Sequence, residues 1–269
     1  MADELQPIID ATGEERRLGS MLIPEGFVCA FPVYEDEQTV WDDEQIRKVI
    51  TDPNRIPRRA TFGKKWIQNQ GSHGSCNGYA LAGALAKSRY LRGIQDGLIL
   101  SGAYPYSKMN GGRDNGSALE DGLKIGQEFG CPPESLVPWS MIYPRMQPAN
   151  ANSEAAKHKA KVCYRAKTLQ GLRTGLAQEF TAIVAVHAGG SFQKLNSKGI
   201  AGVSSGSGNH AVHVDDLCIV GGTMVYDMAN SWGLGYGTEG RAYLTNDTFA
   251  GTFRNHAFYL IGSTEEAAA

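Results

Sequence analysis

Cys76 opens a run of small residues, Ser75-Cys76-Asn77-Gly78-Tyr79-Ala80, directly after Gln68-Asn69-Gln70-Gly71-Ser72-His73-Gly74. The run predicts a helix that begins beside the cysteine. A thiol at a helix N-terminus faces unpaired backbone N–H groups and the positive end of the macrodipole, and both favour the thiolate. The thiolate is the nucleophilic form. Taken alone, Cys76 also fits a small buried packing residue, as most free cysteines are. Two further stretches change that weighing. Asn209-His210-Ala211-Val212 opens a strand-like segment, and Asn230-Ser231-Trp232-Gly233 follows it, continuing into Gly235-Tyr236-Gly237. A thiol nucleophile needs a base to take its proton, and the base needs a third group to hold its ring. A neutral asparagine orients an imidazole without having to stay charged. His210 alone reads as a structural histidine. With Cys76 first, and His210 and Asn230 roughly 130–150 residues beyond it, the three form a set suited to acyl transfer through a thioester.

These residues need elements to hold them. Ser75 to Leu91 is expected to be a helix closely approached on several sides, because Ala80, Ala82, Gly83, Ala84 and Ala86 leave little side chain in the way; Gly93 ends it. Ser117-Ala118-Leu119-Glu120 has the form of a capping box, opening a helix that closes at Gly130 before Pro132. Leu169, Leu172, Leu176 and Phe180 mark an amphipathic helix by their spacing of threes and fours. Beyond Phe180 the segments 181–187, 210–220, 223–229, 240–245 and 256–262 are short, rich in Val, Ile and Tyr, and bounded by glycines. They read as antiparallel strands. Helices followed by strands is an α+β order.

Residues 1–55 differ from the rest. They carry acidic patches (Glu35-Asp36-Glu37 and Asp42-Asp43-Glu44), scattered prolines and one short helix from Asp42 to Ile50. This segment is expected to be an arm for docking or regulation, too short for a core of its own. At the other end, 264–269 reads as a solvated tail.

Composition narrows the function. The 26 basic and 28 acidic side chains nearly cancel, so nucleic-acid binding through bulk charge is excluded. A chain that is 42% hydrophobic and 20% charged is not disordered. Five cysteines are too few for a disulfide scaffold, and their odd number sets at least one apart. No run of about 18 apolar residues occurs, and the N-terminus lacks the basic start and apolar stretch of a secretory signal. A reducing setting, cytoplasmic or virion-associated, is expected.

Together the motifs resemble the papain family of cysteine peptidases, and most of all its shorter bacterial, archaeal and viral branch. The resemblance covers about Ile56 to Gly262. It implies a two-lobed fold with the active site in the cleft: a helical lobe, about 70–165, holds Cys76, and a β-rich, barrel-like lobe, about 166–262, presents His210 and Asn230. Gln70 matches the glutamine whose amide binds the oxyanion together with the Cys76 N–H. Trp232 matches the residue that shields the Asn–His bond from water. Gly111-Gly112 is the best local match to a glycine pair that hydrogen-bonds substrate backbone, and Gly116-Ser117 through Gly130-Cys131-Pro132-Pro133-Glu134 resembles the helix and turn of the shorter branch. The implied reaction is hydrolysis of a polypeptide, without metal or cofactor. Two departures stand out. His73 stands where the family carries a cysteine, disulfide-bonded in its secreted members, and Asn77 stands where it carries an aromatic. The N-terminal segment also lacks the helical signature of the usual inhibitory propeptide.

Other readings are weaker. His210 and His213 face opposite sides of a strand, so they are not joint metal ligands. Cys29, Cys131, Cys163 and Cys218 show no metal-ligand spacing and read as unpaired thiols. The glycines of Gly235-Tyr236-Gly237-Thr238-Glu239-Gly240 follow no strand-to-helix turn, so a dinucleotide site is rejected. A transglutaminase-like acyl transferase would share the nucleophile and base but carry an aspartate as third member. A structural or assembly protein retaining the fold, such as a component of a phage particle docked through residues 1–55, is the alternative to a peptidase.

Overall fold

The computed structural model describes residues 7–22, 28–109, 111–204, 206–250, 252 and 258–266. Residues 1–6 and 23–27 of the expected arm and 267–269 of the expected tail lie outside them.

The N-terminal segment begins with a two-stranded hairpin, β1 (Ile8–Ile9) and β2 (Glu15–Arg16). Its turn is held by Asp10, whose Oδ1 accepts from the N–H of Thr12 and Glu14 and from the Thr12 hydroxyl, while Oδ2 accepts from Arg16 Nε at 2.8 Å. After α1 (Tyr34–Glu37) comes α2 (Asp43–Ile50), capped by Asp42, whose side chain accepts from Gln45 N–H while Gln45 Oε1 accepts from Asp42 N–H. This reciprocal box satisfies two N–H groups that a helix start otherwise leaves unpaired. Leu18, Phe31, Tyr34, Ile46 and Ile50 are buried in the main core. The described part of the segment is therefore packed into the domain, and each of these side chains contributes roughly 1.5–3 kcal/mol of burial.

The short helix α3 (Arg58–Thr61) precedes α4 (Cys76–Leu91), which runs through the middle of the molecule. Its residues from Cys76 to Arg89 are all buried. The small residues explain how: Gly78 lies against Gly102 and Tyr106, and Gly83 against the ring of His213, so a side chain at either position would overlap them. Gly93, at φ +96, carries the chain out of the helix in the left-handed region.

Around α4 stand α5 (Ala103–Met109), α6 (Leu119–Glu128) and α7 (Ala151–Ala155). Helix α6 starts at Leu119, one residue later than a Ser117 cap requires. The Asp121 carboxylate accepts from the Ala118 N–H at 3.3 Å, and Ser117 is engaged elsewhere.

Strand β3 (His158–Ala166) follows, then α8 (Leu169–Ala177) capped by Thr168, then β4 (Thr181–Val186), β5 (His210–Val220), β6 (Thr223–Ala229), β7 (Arg241–Leu244), α9 (Asn246–Phe249) and β8 (Phe258–Glu266). Among the described residues the strands of the main sheet are ordered β3-β8-β4-β5-β6-β7, each pair antiparallel. The expected strands are present. β3 was not anticipated, because its lysines interrupt the apolar pattern, and it places residues 158–165 in the sheet rather than among the helices. The backbone of 264–266 continues β8 against β3 instead of forming a tail. Helix α4 packs across β4, β5 and β8, which sets the head of the helix beside the start of β5.

Candidate active site

Cys76 is the first residue of α4 and fully buried. The N–H of Ala211, second residue of β5, donates to Cys76 Sγ at 3.4 Å. Burial pushes the thiol up from its usual range, and the N–H groups of Ala211, Gly19, Asn77 and Cys76 itself act against that. The N–H groups at the helix start act in the expected direction, but burial outweighs them.

His210 opens β5, and its Nε2 lies 2.8 Å from Asn230 Oδ1. This leaves Nδ1 buried and without a hydrogen-bond partner. Asn230 Oδ1 also accepts from the Ser231 N–H at 2.8 Å, which fixes the amide orientation. The Trp232 ring lies over the imidazole with centroids 4.7 Å apart, and Phe192 meets the imidazole edge-on. Burial pushes the His210 pKa down to about 4; the Asn230 hydrogen bond acts upward and the nearby Arg16 charge downward.

Gln70 is held on three sides. Its backbone N–H donates to Ser231 O at 2.8 Å, its Oε1 accepts from Ser231 Oγ at 2.6 Å, and its Nε2 donates to His73 O at 2.6 Å. The remaining Nε2 hydrogen points to Arg17 O at 3.3 Å. The structure therefore brings Cys76, His210, Asn230, Trp232 and Gln70 together from three separate stretches of chain.

A feature not anticipated from sequence is what lies across them. Residues 17–21 run in extended form through the site. Gly19 O accepts from Ser117 N–H at 2.8 Å, Met21 N–H donates to Ser117 O at 3.0 Å, and Ser20 N–H donates to Asn209 O at 3.0 Å. A Cβ on Gly19 would overlap the Gly74 carbonyl, so only glycine passes there. Upstream, Arg16 is buried, bonded to Asn69 Oδ1, Gly71 O and Trp232 O as well as Asp10 and Glu14.

The backbone that receives this segment is that of Ser117. Gly111 and Gly112 instead form a left-handed turn, with Gly112 against Pro144. Asn77 explains its own departure from an aromatic: its Nδ2 donates to Ser117 Oγ at 3.0 Å and to Ala118 O at 2.6 Å, bracing that wall from beneath. His73 is bonded through Nδ1 to Asp114 Oδ2 at 3.1 Å. Among the described residues no group of three or more His, Cys, Asp and Glu side chains is arranged to hold a metal ion, and no helix is long and apolar enough to cross a membrane. All five cysteines are free.

Solved structures match the fold of this chain along most of its length. Xylellain, a cysteine protease from Xylella fastidiosa, superimposes with a TM-score of 0.66 over 92% of this chain and 97% of its own, at 20% identity. The chain has the papain-like cysteine protease fold. The papain-like neighbours include proenzymes: procathepsin B S9 from Trypanosoma congolense matches with a TM-score of 0.63 over 98% of this chain and 94% of its own, at 16% identity. Procathepsin L 3 from the larval midgut of Tenebrio molitor matches at 0.60 over 87% and 83%, at 17% identity. No family model matches the sequence, and no curated protein matches it. With identities this low, the papain-like fold is carried by architecture rather than by shared residues.

Proposed function

We propose that the chain is a papain-like cysteine endopeptidase held dormant by residues 17–21 of its own N-terminal segment. The observation that carries this reading is the gathering of Cys76, the His210–Asn230 pair and the Gln70 amide beside one stretch of peptide backbone, with one Gln70 N–H directed at Arg17 O of that stretch.

In the active form Cys76 Sγ, deprotonated by His210 Nδ1, attacks the carbonyl carbon of a peptide bond. The C–S bond forms, and the oxyanion is held by the Cys76 N–H and the Gln70 amide, each such donor being worth about 10²–10³ in rate. The imidazolium returns its proton to the departing amine. Water, activated by the same imidazole, then releases the acyl group and restores the thiol. Asn230 keeps the ring in place throughout, and Trp232 keeps water from its hydrogen bond.

The described part of residues 1–55 supports an inhibitory role over docking to another protein, since residues 17–21 cover the nucleophile. The free thiols suit a reducing compartment.

An epoxide thiol inhibitor tests the reading. Cys76 is expected to be labelled first, slowly in the full chain and faster in Gly19→Val, with hydrolysis of fluorescent casein rising in parallel. Cys76→Ala should abolish both signals. Labelling spread evenly over the five cysteines, or casein hydrolysis that survives Cys76→Ala, overturns it.

A further inference from the structure

The Gln70 amide has two N–H bonds, and where the second points depends on what holds the first. The first is tied to the carbonyl of His73 at 2.6 Å. His73 lies in a turn just before α4, and the ends of that turn are held by one carboxylate. Asp114 Oδ1 accepts from the Gly74 N–H at 2.9 Å and from the Tyr106 hydroxyl at 2.8 Å, while Oδ2 lies 3.1 Å from His73 Nδ1. Tyr106 in turn accepts from the Gly116 N–H at 3.1 Å, one residue before the Ser117 backbone that receives the cleft segment. The Arg17 guanidinium of the covering segment stands 3.7 Å from Asp114 Oδ2.

We propose that Asp114 is a positioning residue of the oxyanion site, setting the His73–Gly74 turn and through it the second N–H of Gln70, the one directed at Arg17 O of the covering segment. This rests on the peptidase reading of the site. A carboxylate is the right group for the place. It accepts on both oxygens, and charge-assisted acceptance is roughly twice as strong as neutral. Burial alone would raise its pKa, but the hydrogen bonds from His73, Tyr106 and Gly74 outweigh that and hold it below the usual carboxylate range. It therefore stays an acceptor at working pH. The same carboxylate reaches both sides of the cleft floor, the oxyanion turn directly and the Ser117 wall through Tyr106, so it ties their separation together.

The test uses two reactions of the same thiol. Alkylation by iodoacetamide displaces iodide at a methylene and develops no oxyanion. Peptide hydrolysis does. In the full chain carrying Gly19→Val, Asp114→Ala is expected to lower kcat on fluorescent casein about 10²-fold, the size of one lost oxyanion donor. KM and the iodoacetamide rate should stay within about threefold. Asp114→Asn, which keeps one acceptor oxygen, is expected to recover most of kcat. Loss of both reactions together, or no change in either, overturns the proposal. A second readout does not need activity: in the full chain, Asp114→Ala should shift the side-chain amide resonances of Gln70. If the parent cleaves no casein, the peptidase reading fails. The Gln70 resonances still decide the positioning role: unmoved, they refute it.

Discussion

His210 and His213 sit three residues apart on the same strand, both buried, and the fold treats them in opposite ways. His210 has a neutral partner, Asn230, on one nitrogen and nothing on the other. His213 is wedged against Gly83 of α4 and lies 2.7 Å from the fully buried ammonium of Lys87. Lys87 also pairs with Asp215, which pairs with Arg241 at 2.6 Å; Arg241 and Arg59 both reach Asp227. One histidine keeps a ring nitrogen without a partner, while the other is locked into a charged network joining the helix that begins at Cys76 to the strand that begins at His210. Both have their pKa lowered, with burial the largest cause in each. His210, however, is in contact with the part of the site that residues 17–21 cover, and His213 is buried by α4 and the sheet. Two groups of the same type thus differ in what would have to move to expose them.

The sharpest way to break this contrast is to remove each ring in the Gly19→Val background. His210→Ala is expected to lower casein hydrolysis by about 10⁴-fold, the upper range for a lost general base. His213→Ala should change it less than tenfold while lowering the urea midpoint. Equal losses would mean that the two rings share one role. Next in size is Lys87→Ala, which leaves His213 buried without its donor and Asp215 with Arg241 alone. Breaking a buried pair on one side costs about 3–5 kcal/mol, measurable by urea unfolding at pH 7, and a loss under 1 kcal/mol would deny the network its structural part.

Acid sharpens the comparison further. Both histidines hold folded pKa values below the unfolded value of 6.5. The unfolded chain therefore binds more protons below that pH, and the stability each ring contributes is present above about 6.5 and lost as pH falls toward its folded pKa. For His210, lowered to about 4, the loss by that pH is on the order of 3 kcal/mol. Urea unfolding at pH 7 and pH 5 should show the decline, with a smaller share from His210 once Gly19→Val uncovers it and an unchanged share from His213. The smallest effect is expected from Asn77→Ala, which removes the brace under Ser117. KM for casein should rise a few-fold with kcat nearly constant, and a loss confined to kcat would place Asn77 elsewhere in the reaction.

Much of the site was legible because it is written locally. A helix built of small residues can have its head at Cys76 and still be enclosed on every side. Asn209-His210 at the start of a β-rich stretch, and Asn230-Ser231-Trp232 after it, keep their meaning within a few residues. The α+β order was legible for the same reason, since strand and helix periods are local. Less legible was β3, with Lys159 and Lys161 breaking its apolar alternation. Ser117 was read as a helix cap when its backbone was already engaged. The glycine pair at 111–112 forms a left-handed turn, and the backbone bonded to residues 19 and 21 is that of Ser117. Asp114 carried no signal, because a single aspartate in a loop looks like any turn residue.

The sequence by itself determined which groups stand on which elements: a thiol at a helix start, an imidazole and an amide among strands, and a glutamine shortly before the thiol. Only the tertiary structure decided how those groups are set and covered. Gly19 over Cys76, Ser117 against Gly19 and Met21, Asp114 under the His73–Gly74 turn and Lys87 beneath His213 are contacts between residues far apart in the chain. Such contacts leave no period or motif behind. They arise from which surfaces fit once α4 lies across the sheet, and a glycine or a carboxylate earns its place there only through the neighbours that packing brings to it.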